Sequence, residues 1–267
     1  MTDRYAVIGH PVAHSKSPWI HAEFARQTGQ DMDYGRLEAP LDGFEGAVDA
    51  FHAAGGRGAN VTLPFKARAF GYCRGAVTER ARAVGVVNTL SFDGTTVCGD
   101  NTDGVGLLRD LTANLGRALA GARVLLMGAG GAAQGVLPPL LGAGPQRLVI
   151  VNRTAARARE LARRFGASAG GGYEEFGDES FDILINATSA GLAGEAPPLA
   201  AGAFAARSLA YDMVYGRDTP FLERARAAGA AAHDGIGMLV EQAAESFFVW
   251  RGVRPDTAPV LAALRGG

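Results

Sequence analysis

Residues 123–133 read Arg-Val-Leu-Leu-Met-Gly-Ala-Gly-Gly-Ala-Ala, an apolar run that opens into a glycine loop. Gly128-Ala129-Gly130-Gly131-Ala132-Ala133 fits the G-x-G-x-x-G/A pattern of a dinucleotide-binding turn. The match carries weight because it follows an apolar strand and opens a helical stretch. Gly128 permits the tight turn, Gly130 lets backbone reach a pyrophosphate, and Ala133 is small enough for close helix–strand packing. First-turn amides and the helix dipole then face the phosphates.

Downstream, helix Ala132–Leu141, strand Arg147–Val151, helix Ala155–Phe165, strands Asp182–Asn186 and Leu209–Val214, and helix Pro220–Ala228 alternate in order. Near-continuous apolar strands, each followed by a helix, predict a doubly wound parallel sheet with right-handed crossovers. A helix over Asp103–Leu119 leads into it. In the first hundred residues the same patterning predicts strands Tyr5–Gly9, Asp33–Ala39 and Ala59–Leu63 with helices Pro18–Thr28 and Gly43–Ala53. Val86–Phe92 and Thr95–Gly99 read as a hairpin across Asp93–Gly94. Met238–Arg251 is a long amphipathic helix without strands of its own, expected to return to the first domain. Phe247, Phe248 and Trp250 on it read as core in preference to a dimer surface.

The cofactor follows from the next strand end. Val151 stands where an NAD enzyme would soon place a carboxylate against the ribose hydroxyl, but Asn152-Arg153-Thr154 comes instead, with Arg157 four residues beyond Arg153. Two guanidiniums so spaced can clamp a 2′-phosphate, which favours NADP over NAD.

Composition narrows the remaining classes. The chain has 267 residues, 48% hydrophobic and 20% charged, with a net charge of −1. That leaves no basic excess for a nucleic-acid partner. No apolar run is long enough for a membrane span, and the N-terminus lacks a signal-peptide pattern. Cys73 and Cys98 sit in no metal or redox spacing, and Pro11 disfavours the helix that would align His10 with His14, so no metal is expected. A reduced, cytoplasmic setting is expected. All but two of the 26 basic residues are arginine, the exceptions being Lys16 and Lys66. Arginine is effectively always charged, whereas a lysine can give and take a proton.

Polar groups gather at strand ends. Ser15-Lys16-Ser17-Pro18 offers two hydroxyls to one anion near a helix start, or else Ser17 is a plain N-cap with Pro18 at the first helical position. Asn60-Val-Thr62-Leu-Pro-Phe-Lys66 presents amide, hydroxyl and ammonium. Asn88-Thr89 and Asp100-Asn-Thr-Asp103-Gly104 form a second cluster. Lys66 and Asp103 within reach of one another could shuttle a proton, or they could be a surface charge and a helix cap. The residues alone leave both pairs of alternatives open.

The ordered set of motifs resembles the shikimate dehydrogenase family over nearly the whole chain: Ile8–Pro18, Asn60–Lys66, Val87–Thr89, Gly99–Gly104, Gly128–Ala132, Asn152–Thr154, Asn186–Ser189, Tyr211–Met213, Thr219–Leu222, and Asp234–Leu239 with Gln242. The resemblance implies an α/β fold of two domains, an N-terminal substrate domain and a Rossmann-type NADP-binding domain with a cleft between them. On this sequence the domains would span 1–103 and 104–235, and helices over 236–267 would return to the substrate domain. It implies reversible reduction of 3-dehydroshikimate to shikimate by NADPH, on the route to chorismate and the aromatic amino acids.

By resemblance, Lys66 and Asp103 are the catalytic pair. Ser15, Ser17, Thr62, Asn88, Asp103, Tyr215 and Gln242 hold the substrate. Gly128, Ala129, Gly130, Gly131, Ala132, Asn152, Arg153, Thr154, Arg157, Thr188, Met213 and Gly235 hold NADP. The residues leave monomer and homodimer open as the assembly. Gln134 and Gly216-Arg217-Asp218 depart from the family pattern beside these sites. Two rivals remain at this stage: a shikimate/quinate dehydrogenase using both cofactors, and a non-catalytic NADP-binding sensor.

Overall fold

The structure is a computed structural model and describes residues 2–266. It divides into two units, one comprising Met1–Gly106 with Leu239–Gly267, the other Leu107–Met238. The chain passes from one to the other inside helices, whereas the sequence reading set the boundaries after 103 and 235.

In the first unit, strands β1 (Asp3–Gly9), β2 (Met32–Glu38), β3 (Gly56–Val61), β4 (Thr89–Asp93) and β5 (Thr96–Asp100) form a sheet in the order β2-β1-β3-β4-β5. Pairings among β1, β2 and β3 are parallel, and β3/β4 and β4/β5 are antiparallel. Helices α2 (Phe44–Ala53), α3 (Lys66–Tyr72) and α4 (Glu79–Val84) contribute Phe44, Val48, Ala69 and Ala81 to one apolar cluster with Ile8, Val61 and Leu90. A separate cluster joins α1 (Ser17–Thr28) to α9 (Ile236–Arg251) and α10 (Ala258–Gly266) through Ile20, Phe24, Val240, Phe247 and Leu261. The long C-terminal helix thus packs on α1. Of its three aromatic residues, Phe247 is fully buried and Trp250 donates its indole N–H to the Leu90 carbonyl at 3.0 Å. Phe248 is 42% exposed, so its core assignment is corrected; the Arg254 guanidinium lies over its ring.

The hairpin turns at Gly94–Thr95, not Asp93–Gly94, and pairs Phe92 with Val97 and Leu90 with Gly99. Gly99 explains the register. A Cβ there would stand 2.7 Å from both Cys73 Sγ and Val87 Cγ2, so only glycine fits opposite Leu90. Ser17 is not the N-cap of α1. Lys16 holds that position without a side-chain bond, and Ser15 Oγ accepts from the Ser17 amide at 3.3 Å.

The second unit contains β6 (Arg123–Met127), α6 (Gly131–Gly142), β7 (Arg147–Val151), α7 (Ala155–Phe165), β8 (Ala169–Gly171), β9 (Phe181–Asn186), β10 (Phe204–Asp212), α8 (Pro220–Ala227) and β11 (Ala231–His233). All pairings are parallel, in the order β11-β10-β9-β6-β7-β8. This is the doubly wound order with its switch point between β6 and β9. Both faces are covered, which is why the strands read as continuous apolar runs: Val124 and Leu126 of β6 enter one cluster, Leu125 and Met127 the other. The expected helix over Asp103–Leu119 is shorter. Helix α5 (Asp103–Arg109) widens into a π turn over Asp110–Asn114 and stops before Gly116, whose φ of +62° is left-handed. The widening seats Asp110, fully buried, against Tyr211, which donates its hydroxyl at 2.6 Å. No helix among the described residues is long and apolar enough to cross a membrane.

Candidate active site

Lys66 opens α3 immediately after the Thr62–Phe65 turn, in which the Phe65 amide bonds to the Thr62 carbonyl at 3.0 Å. Asp103 opens α5, its amide donating to Asn101 Oδ1 at 3.2 Å. The two starts bring the side chains together: Lys66 Nζ donates to Asp103 Oδ2 at 2.6 Å, with the side chains 17% and 5% exposed. The other carboxylate oxygen accepts from Asn88 Nδ2 at 2.8 Å. Thr102 settles the orientation of that amide, because its backbone N–H, which can only donate, reaches Asn88 Oδ1 at 2.9 Å. Gln242 on α9 completes the cluster, its Oε1 accepting from Asn88 Nδ2 and the Thr102 hydroxyl, each at 3.4 Å.

Lys66, Asp103, Asn88 and Gln242 are therefore one hydrogen-bonded group. Thr62 is half-buried on the turn leading into Lys66. Ser15 and Ser17 are buried at the start of α1, and the Arg36 guanidinium grips the Ser15 carbonyl at 2.6 and 3.2 Å. No hydrogen bond among the described residues joins either serine to the lysine group.

Two supporting sets surround this group. Asn60, Thr89 and Thr102, which the sequence places in its polar strand-end clusters, and Ser246, which it does not single out, are buried polar side chains around Asn88. Arg80 is the second. Its Nε and Nη2 reach Asp100 at 2.6 and 2.5 Å, and its Nη1 reaches Glu245 at 2.8 Å. Burial alone would raise the Asp100 carboxyl, but Arg80 and the Thr78 hydroxyl hold it below the usual carboxylate value. Burial likewise opposes, and Arg80 and Arg254 outweigh it, at Glu245. Asp100 Oδ1 in turn accepts from the Asn101 amide at 2.7 Å, beside the segment that carries Asp103.

The glycine loop lies in the second unit at the switch point. Gly128 has φ +112°, and a Cβ on it would meet the Ala187 carbonyl at 3.1 Å. Gly130 precedes α6 with open space about its Cα and no side-chain cap on the helix. Amides of the first turn, at Gly131 and Ala132, are thereby left for an incoming anion. Ala129 lies between the two glycines of the loop. Asn152 Nδ2 bonds to the Thr154 carbonyl at 3.1 Å ahead of α7, and Arg153 and Arg157 are exposed, with no ion pair to either among the described residues. This uncommitted pair fits a phosphate group, and no carboxylate occupies the strand end.

Across the switch point, Asn186 Oδ1 accepts from the Thr188 amide and hydroxyl at 3.1 and 2.7 Å, and its Nδ2 donates to Asp212 at 3.1 Å. Burial raises the Asp212 carboxyl, partly offset by the Thr219 hydroxyl and the Val214 amide. Gly235 packs against Met213 so closely that a Cβ would stand 2.4 Å from the Met213 carbonyl oxygen. These residues fit NADP: backbone donors for the pyrophosphate, guanidiniums for the 2′-phosphate, and a glycine-lined edge at Met213 and Gly235. Tyr215 follows β10, half-buried, and burial raises its phenol. No group of three or more candidate metal ligands occurs among the described residues.

Comparison with known proteins follows the same division. Residues 7–90 match the shikimate dehydrogenase substrate binding domain, 110–194 match shikimate / quinate 5-dehydrogenase, and 235–265 match the shikimate 5'-dehydrogenase C-terminal domain. A protein of Methylobacillus flagellatus named shikimate dehydrogenase (NADP(+)) is 58% identical over 268 residues, covering 98% of this chain and 99% of its own. Among solved structures, an Ael1 enzyme from Pseudomonas putida superposes with a TM-score of 0.92 at 49% identity, over 98% of both chains. Shikimate 5-dehydrogenase from Thermus thermophilus, in complex with NADP(H) and shikimate, does so with a TM-score of 0.89 at 37% identity, over 99% of both. The likeness spans both the doubly wound unit, with its glycine loop at the switch point, and the mixed-sheet unit that holds the lysine–carboxylate pair, and the chain belongs to the shikimate dehydrogenase family.

Proposed function

We propose that the chain interconverts shikimate and 3-dehydroshikimate with NADP, and that Lys66 and Asp103 do its acid–base work. The observation that carries the second part is the 2.6 Å contact between Lys66 Nζ and Asp103 Oδ2 in a largely buried setting. When bound, the nicotinamide supplies or accepts the hydride at the carbon bearing the reacting oxygen. In the reducing direction Lys66 donates a proton to that oxygen as the alkoxide develops, and Asp103 accepts a hydrogen bond from the resulting hydroxyl. In the oxidising direction the hydroxyl proton returns to the pair. Asn88, held by Thr102, keeps one carboxylate oxygen of Asp103 occupied, so the other stays turned towards Lys66.

The buried Ser15 and Ser17, with Thr62, Asn88, Tyr215 and Gln242, are assigned to the substrate's carboxylate and hydroxyls. The amides at Gly128–Ala132, with Asn152, Arg153, Thr154, Arg157, Thr188, Met213 and Gly235, are assigned to NADP. A homodimer is proposed for the assembly, to be checked by sedimentation equilibrium. The cytoplasm is proposed for the location, consistent with the free thiols of Cys73 and Cys98 and to be checked by cell fractionation.

The deciding assay follows NADPH formation by purified protein given shikimate and NADP, with quinate and NAD as parallel arms. Turnover confined to shikimate and NADP is expected. Comparable turnover with NAD would overturn the reading of Arg153 and Arg157, and binding without turnover in every arm would overturn the enzymatic assignment.

A further inference from the structure

The polar core of the first unit contains more hydrogen bonds than the pair itself requires, and their directions can be worked out. Asn88 must present Oδ1 to the Thr102 amide, so its Nδ2 faces Asp103. The Thr89 hydroxyl, 2.8 Å from that same Oδ1, must therefore donate to it. Because the Thr89 hydrogen is spent there, its oxygen is an acceptor towards Asn60, whose Nδ2 lies 3.2 Å away. The second hydrogen on Asn60 Nδ2 goes to Ser246 Oγ at 2.9 Å, and the Asn88 carbonyl shares the first at 3.2 Å. Asn60 is thus turned with Oδ1 towards Tyr34, and the Tyr34 hydroxyl, 2.8 Å distant, must donate. Every donor in the series Tyr34, Asn60, Thr89, Asn88 points the same way, and it ends on Asp103 Oδ1.

We propose that Tyr34, Asn60 and Thr89 form a one-way hydrogen-bond relay that positions Asn88 on Asp103, making Tyr34 and Thr89 positioning residues for the reaction. The proposal rests on the reading of Lys66 and Asp103 as the acid–base pair. In a series of aligned donors each bond polarises the next, so the amide hydrogen that reaches the carboxylate is a stronger donor than an isolated asparagine would offer. The relay is shielded: Tyr34, Asn60, Asn88 and Thr89 are all buried. At its far end the His21 ring stacks on Tyr34 with centroids 4.1 Å apart and planes within 5°. Burial takes His21 down to about 3, so it stays neutral and places no charge beside the relay at working pH. None of the three residues is itself assigned to substrate or cofactor, and Thr89, unlike Tyr34, which also bonds to the Ser17 side chain, touches none of the residues so assigned except Asn88.

The test uses Tyr34→Phe, which keeps the ring and removes the donor, and Thr89→Val, which keeps the shape and breaks the middle link. Thr89→Ser restores the hydroxyl. Each variant of the first two should lower kcat about twofold to twelvefold, the range that losing one hydrogen bond between neutral partners gives. KM for shikimate and for NADP should move less than about twofold. Thr89→Ser should recover most of the rate. Because both breaks interrupt one series, the double variant should be little worse than either single one. An unchanged kcat in both variants overturns the proposal. So does a loss that Thr89→Ser fails to recover, or one that appears equally in KM. Lys66→Ala is measured beside them: full activity there removes the acid–base reading itself, whereas a dead Lys66→Ala with normal Tyr34→Phe and Thr89→Val removes only the relay.

Discussion

Replacing Arg80 by methionine would leave two carboxylates in the first unit short of their shared cation. Asp100 and Glu245 are 5% and 7% exposed, and Arg80 reaches both, the former through two nitrogens. Stranding a buried charge by removing its partner costs about 3–5 kcal/mol. The figure here should fall lower. Asp100 keeps the Thr78 hydroxyl and the Asn101 amide, Glu245 keeps Arg254, and the Arg80 side chain is itself 34% exposed. A loss of about 2 kcal/mol is therefore expected at pH 7 after discounting for solvent screening. Its pH dependence has a definite sign. Both carboxyls have folded-state pKa values below their ordinary ones, so their contribution is fully present above the unfolded values and is lost as pH falls through the lowered folded ones. Urea denaturation of native protein and Arg80→Met should accordingly show a gap that is widest near neutrality and narrows below about pH 4. A gap smaller than about 0.5 kcal/mol at pH 7 would show that Arg80 is only a surface charge. A gap constant down to about pH 3 would show that its packing, not its charge, matters.

Three other substitutions probe the two sites. Lys66→Ala should cut turnover about 10²- to 10⁴-fold with NADP affinity retained, measured as kcat in the shikimate assay and as cofactor binding by fluorescence titration. The double change Arg153→Ala with Arg157→Ala should weaken NADP about tenfold or more and leave NAD nearly unaffected, since only the 2′-phosphate loses its charge-assisted bonds. Equal weakening of both cofactors would place the arginines elsewhere. Gly235→Ala introduces a Cβ 2.4 Å from the Met213 carbonyl oxygen, a backbone atom that cannot swing away. It should raise KM for NADP several-fold while leaving shikimate binding by the protein alone unchanged, read by calorimetry.

The second unit was legible in the sequence because its site is built from backbone. A glycine at φ +112°, an uncapped helix start and a glycine packed on a carbonyl require particular residue types at short spacing, and a motif is such a requirement. The edge strands β8 and β11 were missed; at three residues each they carry too little alternation to register. The helix expected to Leu119 ends early at Gly116, a local stop signal, whereas the buried contact of Asp110 with Tyr211 across 101 positions, which the π turn serves, is announced by no local pattern. In the first unit the polar core was illegible for the same cause. Asn60 and Ser246 are 186 residues apart; one reads as a polar strand end and the other as a polar position on a helix, and nothing local joins them. Resemblance could name Lys66 and Asp103, but what holds them came only from the fold.

The arginine bias sharpens the case for Lys66. Arginine serves the structural ion pairs throughout, with Arg80 on Asp100 and Glu245, Arg147 on Glu179, and Arg251 on Asp3. At such places a permanent charge and a planar fork are advantages, because the pair is never asked to separate. The two lysines divide cleanly against that background. Lys16 is exposed at the start of α1 and its side chain makes no cap bond, so arginine would serve there equally well. Lys66 is mostly enclosed with its ammonium on a carboxylate. A guanidinium at that position would keep the ion pair and the positive charge, yet it could not yield a proton near neutral pH. The acid–base role proposed for Lys66 thus needs the residue type found there, since an arginine would supply the charge without the proton.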